Sequence, residues 1–179
     1  MARKIGLFCM AVAICVFMAQ PVFAASTDTL AITVTVSSVL GVNITEGTLA
    51  LGSVGAGGTV ASPTGVTITN TGSGINETFQ ISVANPSGWT ASQTAAGVDT
   101  YVLNAAFDSD GAGITWNPAN HALSTTAVSS SATKFAGDAT GVAVPYNAAR
   151  KLWFQFKAPT QSSVTTQQSI TLTVTAIAS

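Results

Sequence analysis

From residue 25 onward, apolar and polar side chains alternate with a period of two, and helical spacing is hard to find. In the stretch from Leu30 to Ser37, Leu30, Ile32, Val34 and Val36 point one way and small polar residues point the other, which predicts a half-buried strand. The same alternation sets Val66 and Ile68 against Thr67 and Thr69, and Phe79, Ile81 and Val83 against Thr78, Gln80 and Ser82. It returns in Leu152, Phe154 and Phe156, and again in Ile170, Leu172, Val174 and Ala176. β-Branched residues dominate most of these runs and suit a pleated surface packed on one side.

Turn chemistry separates the runs: Gly55-Ala56-Gly57-Gly58, Asn70-Thr71-Gly72-Ser73-Gly74, Asn85-Pro86-Ser87-Gly88, Asp108-Ser109-Asp110-Gly111 and Asn117-Pro118. Gly, Asn and Asp accept positive φ, and Pro presets φ for a turn. Short strands between such clusters predict an all-β chain folded as a single antiparallel Ig-like β-sandwich over residues 25–179. The Ser/Thr/Ala-rich stretch 124–133 reads as a long loop or an exposed edge strand. Membrane barrels carry aromatic girdles and strands of about ten residues. Aromatics are sparse here, which favours the sandwich.

The first 24 residues break the pattern. Arg3 and Lys4 precede an apolar run from Ile5 to Ala19, and Pro21 leads to Val22-Phe23-Ala24. A charged start, a short apolar core and a small-residue cleavage site form a secretory signal peptide. The run is shorter than the ~20 residues a spanning helix needs, so no membrane span is expected after cleavage. Both cysteines, Cys9 and Cys15, fall inside this segment. The exported chain therefore has no thiol for a disulfide, a common condition in bacterial export products, and is expected outside the cytoplasm, secreted or at the cell surface.

Charge narrows the partners. Beyond residue 24, Lys134, Arg150, Lys151 and Lys157 face Asp28, Glu46, Glu77, Asp99, Asp108, Asp110 and Asp138. Four cations cannot build the basic face a nucleic-acid binder needs. A surface of hydroxyls, amides and small apolar groups suits contacts with wall, matrix or other subunits.

Catalytic patterns are absent, and the chain reads as non-enzymatic. Its single histidine, His121, has no flanking carboxylate, and no serine sits in a nucleophile-elbow pattern. It reads as a loop or surface histidine. Asp108 and Asp110, two apart before Gly111, resemble the start of a calcium loop, with Asp99 or Asp138 as distant helpers. The EF-hand pattern then fails at Ala112 and Ala119, and an Asp/Gly turn explains the same residues. No cofactor is expected apart from that calcium candidate. In the strand around Trp153, alternation sends Leu152, Phe154 and Phe156 to the core and leaves Trp153 with Lys151, Gln155 and Lys157. There Trp153 stacks on a sugar, packs into a neighbouring subunit, or covers a loop of its own sheet. Trp89 and Trp116 read as plugs for the sandwich ends.

Residues 66–73, 79–83 and 85–90 (Val66 to Ser73, Phe79 to Val83, Asn85-Pro86-Ser87-Gly88-Trp89-Thr90) resemble a pattern of bacterial and archaeal Ig-like modules. A strand ends there in an Asn-x-Gly turn, a second strand follows, and a Pro-x-Gly-Trp corner closes the unit. The stretch 49–90 is also similar to WxL-type cell-surface domains and to pilin-like sandwiches. The chain lacks the second tryptophan motif that WxL domains carry near the C-terminus. The resemblance implies an extracellular structural or adhesive role and no catalytic residue.

Two functions follow from these readings. The first is a pilus, filament or matrix subunit that self-associates or joins other surface proteins, with Ile32, Val34 and Val36 on a strand added to a neighbour's sheet. The same strand can instead be the first strand of its own domain. The second is a glycan- or cell-wall-binding module using Trp153.

Overall fold

The structure is a computed structural model that describes residues 29–179. The expected signal peptide, residues 1–24, lies outside the described residues. The chain divides into two units, one ending at Thr35 and one spanning Val36–Ser179.

The second unit is nearly all β, with two sheets. The strands are β1 (Val42–Ile44), β2 (Thr59–Ala61), β3 (Val66–Asn70), β4 (Glu77–Ala84), β5 (Thr90–Ala91), β6 (Thr100–Phe107), β7 (Val128–Ser129), β8 (Ala149–Lys157) and β9 (Thr171–Ala178). One turn of helix, α1 (Pro118–His121), precedes β7. The larger sheet runs β1-β3-β8-β6-β5, with β2 also on β8; the smaller runs β7-β4-β9. Pairing is antiparallel except between β5 and β6, where Thr90 and Ala91 run parallel to Thr100 and Tyr101. The expected antiparallel pairing departs at that short pair and at two isolated parallel bridges, Val98 with Gln161 and Phe107 with Ala136.

β8 is the hub of the larger sheet. β6 covers one edge from Val102 to Phe107, and β3 and β2 share the other. Pro63, which has no N–H to give, falls in the gap between β2 and β3. Ser62 keeps that edge bonded: its N–H donates to the Phe154 carbonyl at 2.8 Å and its hydroxyl accepts from the Phe154 N–H at 3.0 Å.

One hydrophobic cluster joins the sheets, with Val66, Ile68, Leu103, Phe107, Leu152, Phe154 and Phe156 from the larger and Phe79, Ile81, Val83 and Val174 from the smaller. Phe79 meets Phe107 at 6.0 Å between ring centroids. Trp89, Tyr101 and Phe156 form a second aromatic knot, each pair within 6.4 Å. Such ring pairs add about 0.5–1.5 kcal/mol each beyond their buried area. The architecture fits a β-sandwich.

A buried amide fixes the turn from β3 to β4. The Asn70 side chain donates to the carbonyls of Val144 at 2.8 Å and Ile75 at 3.3 Å, and accepts from the Gly72 N–H at 2.9 Å. Beside it, Glu77 is fully buried, and its Oε1 accepts the Gly41 N–H at 2.7 Å. Together these side chains tie the approach to β1 to the start of β4.

Candidate functional site

The segment read as the first strand takes up no strand at all. Among the described residues, 30–38 have no ladder partner and are exposed throughout. Leu30, Ile32, Val34 and Val36 are 85%, 83%, 82% and 81% exposed. The expected half-burial is thus corrected. Alternation gave these residues the form of a strand, but neither sheet of this chain pairs with them. In strand geometry, at ~3.3 Å per residue, residues 30–37 would span about 26 Å and carry these four aliphatic side chains as a comb on one edge. Scattered apolar residues on a surface are ordinary, whereas four large exposed aliphatic side chains within eight residues are a concentration that calls for an explanation.

Trp153 sits elsewhere, on β8, where alternation turns it away from the core. Its indole N–H donates to the Asp108 carbonyl at 3.0 Å. A Cβ placed on Gly111, which has φ +77°, would lie 2.5 Å from the ring, and one on Gly65 would lie 2.8 Å from it. Both glycines therefore pack their bare backbones against the indole. Trp153 is half-buried and serves as the floor for the loop after β6.

That loop holds the candidate calcium ligands. Asp108 is 4% exposed. Its Oδ1 accepts the N–H groups of Gly111 at 2.8 Å and Asp110 at 3.3 Å, and its Oδ2 accepts that of Asp138 at 3.1 Å. Burial pulls the Asp108 carboxyl upward, but the backbone donors of Asp138, Gly111 and Asp110 outweigh it and hold the group below its ordinary range. Asp110 Oδ1 accepts the Ala112 N–H at 2.8 Å. Asp138 accepts both the Ser109 N–H, at 2.7 Å, and the Ser109 hydroxyl. Asp99 is engaged apart from them, with the Ser163 N–H at 2.7 Å. These carboxylates bind loop backbone, and among the described residues no group of three or more His, Cys, Asp or Glu side chains is placed to hold a metal ion.

His121, read as a loop or surface histidine, is instead buried, at 5% exposure, at the end of α1. Its Nδ1 accepts the Asn117 N–H at 3.0 Å, so the ring proton lies on Nε2, which donates to the Ala136 carbonyl at 3.1 Å. Asn117 caps α1 through Oδ1 to the Ala119 N–H, with Pro118 at the first helical position. Trp116 meets the imidazole edge-on at 5.7 Å. Trp89 hydrogen-bonds Ser162 through Nε1 at 2.9 Å.

No protein-family model matches this chain, and neither a curated protein nor a solved structure does. Function rests on the chain's own geometry. Of the sequence-predicted partner residues, Ile32, Val34 and Val36 are each exposed, and Trp153 is half-buried on β8 among its own loops. Sequence reasoning missed Glu77 as the anchor of Gly41. The only signal was an acid at a core-facing position of an alternating strand, in register with Phe79 and Ile81.

Proposed function

We propose that the exported chain is a non-catalytic structural or adhesive subunit of the cell surface, assembling into a filament or matrix by adding residues 30–37 to a neighbour's sheet. The observation that carries this reading is the comb itself: four alternating aliphatic side chains, each more than four-fifths exposed, on a segment without a ladder partner. An added strand gains backbone hydrogen bonds and buries alternate side chains in one step. The low charge of the chain supports close strand pairing between copies without repulsion. The Ig-like reading of the sandwich, the signal peptide ending at Ala24 and a bacterial source belong to the same proposal.

Light scattering and electron microscopy on the chain beginning at Ala25, beside the double variant Ile32→Asp/Val34→Asp, test it. The parent is expected to form large assemblies, and the variant to remain a folded monomer with an unchanged melting temperature. A parent that stays monomeric across concentration overturns the proposal.

A further inference from the structure

Resting on strand donation as proposed above, we infer that the acceptor is the outer edge of β9, and that the strand it receives is residues 30–37 of a second copy, laid antiparallel. Among the described residues, β9 ends the smaller sheet and pairs only with β4. On β4, the N–H groups of Glu77, Phe79 and Val83 point away from β9, to the carbonyls of Val144, Gly141 and Ser124. The alternate residues Thr78, Gln80, Ser82 and Ala84 therefore face β9, opposite Ile177, Thr175, Thr173 and Thr171. By the same alternation, Leu172, Val174 and Ala176 turn their N–H and C=O groups to the far edge. No other described residue supplies a backbone hydrogen bond to them there.

These residues also point their side chains at the core, so a strand added at this edge sends alternate side chains inward beside them. Coverage is incomplete on that side. Val174 and Ala176 are buried, but Ile170 and Leu172 are only partly so. β1, which lies beside β9, leaves Val42 and Ile44 half-buried, and Leu49 and Leu51 after it are half-buried as well. An apolar comb is the missing complement.

The occupant follows from length, pattern and charge. Residues 30–37 match the eight residues of β9. Neither segment carries a charge. The opposite face of each presents hydroxyls: Thr33, Thr35 and Ser37 on one, Thr171, Thr173 and Thr175 on the other. Thr–Thr neighbours across strands are favourable. Direction selects the second copy. Gly41 is held to Glu77, which faces Ala178 at the end of β9, so a strand folded back from the same chain runs parallel to β9. A second copy is free to pair antiparallel, the more stable ladder. Donation from one surface to a different one is head-to-tail, which propagates into open filaments.

Amide exchange tests the edge and the source together. The Ile32→Asp/Val34→Asp variant keeps β9 but has no competent strand, so it is labelled with nitrogen-15 and mixed with an equal amount of unlabelled parent chain. The expected result is a protected population of variant in which the Leu172, Val174 and Ala176 amides slow on the order of a hundredfold, while Thr173 and Thr175 are protected with or without the parent. Assembly of the parent without protection of those three amides overturns β9 as the acceptor and leaves strand donation standing. Protection of those amides in a separate sample of labelled parent chain, but not in the variant of the mixture, shows the strand comes from its own chain and overturns the second copy. No assembly of the parent at all overturns the underlying reading as well.

Discussion

Two segments of this chain are nearly the same text. Leu30, Ile32, Val34 and Val36 alternate with Ala31, Thr33, Thr35 and Ser37; Ile170, Leu172, Val174 and Ala176 alternate with Thr171, Thr173 and Thr175. The second is β9, bonded to β4 along eight residues, with Val174 and Ala176 buried. The first is exposed throughout and paired with nothing in either sheet. Period-two alternation states which side chains share a face; it does not state which chain supplies the other half of the core. The difference lies in the neighbour, because β4 presents an edge that β9 takes and residues 30–37 do not.

The largest expected effect separates the two segments directly. Val174→Asp places a charge in the core and is expected to cost about 4 kcal/mol or more, enough to abolish a cooperative urea transition. Val34→Asp, at the matching position of the exposed segment, is expected to stay within ~0.5 kcal/mol in the monomer while weakening assembly. Equal losses of monomer stability would remove the distinction between the segments.

Trp153→Ala comes next, with an expected loss of about 3 kcal/mol from the indole hydrogen bond and the packing of Gly65 and Gly111. Urea unfolding measures it. A variant as stable as the parent would return Trp153 to the role of an exposed binding residue. Glu77→Ala leaves the Gly41 N–H without its acceptor and is expected to cost about 2 kcal/mol, while raising amide exchange at Gly41. An unaltered Gly41 amide would mean that the exposed segment is not anchored through Glu77.

The smallest effect is acidic. The Asp108 carboxyl is held below its ordinary range, so the unfolded chain takes up its proton first as pH falls. The stability it contributes is fully present above the ordinary aspartate range near ~4 and is lost as pH drops through the lower folded value. Melting temperature followed from pH 5 to pH 2 is expected to fall less steeply in Asp108→Asn than in the parent. Neither residues 30–37 nor β9 carries a titratable side chain, and the difference between the acid limbs of parent and variant reports Asp108 in the loop after β6.

Alternation located β3, β4, β8 and β9, the strands with one face on the core. It missed β6 for a physical reason: Tyr101 through Phe107 are all buried, α1 and the loops around it cover the outer face, and a strand covered on both sides shows no period of two. The strands β1, β2, β5 and β7 are two or three residues long and exist only because a neighbour presents an edge. Asn117-Pro118, read as a turn, opens α1 instead; a capping Asn before Pro serves both purposes. The placement of Trp153 off the core was legible from its position in β8. Its enclosure was not, because Gly65 and Gly111 reach it from distant parts of the chain.

The tie at Gly41 has a mechanical consequence. Any pull on residues 30–37 arrives first at Val39, which exchanges two backbone hydrogen bonds with Ser73, and then at Gly41, whose carbonyl accepts from Thr71 and Gly72 and whose N–H is gripped by Glu77. Beyond it, β1 continues along β3 from Val42 to Ile44. Tension therefore meets a cluster of bonds that must yield together before the sheet is reached, and the join behaves as a cleat that passes load into the body of the protein.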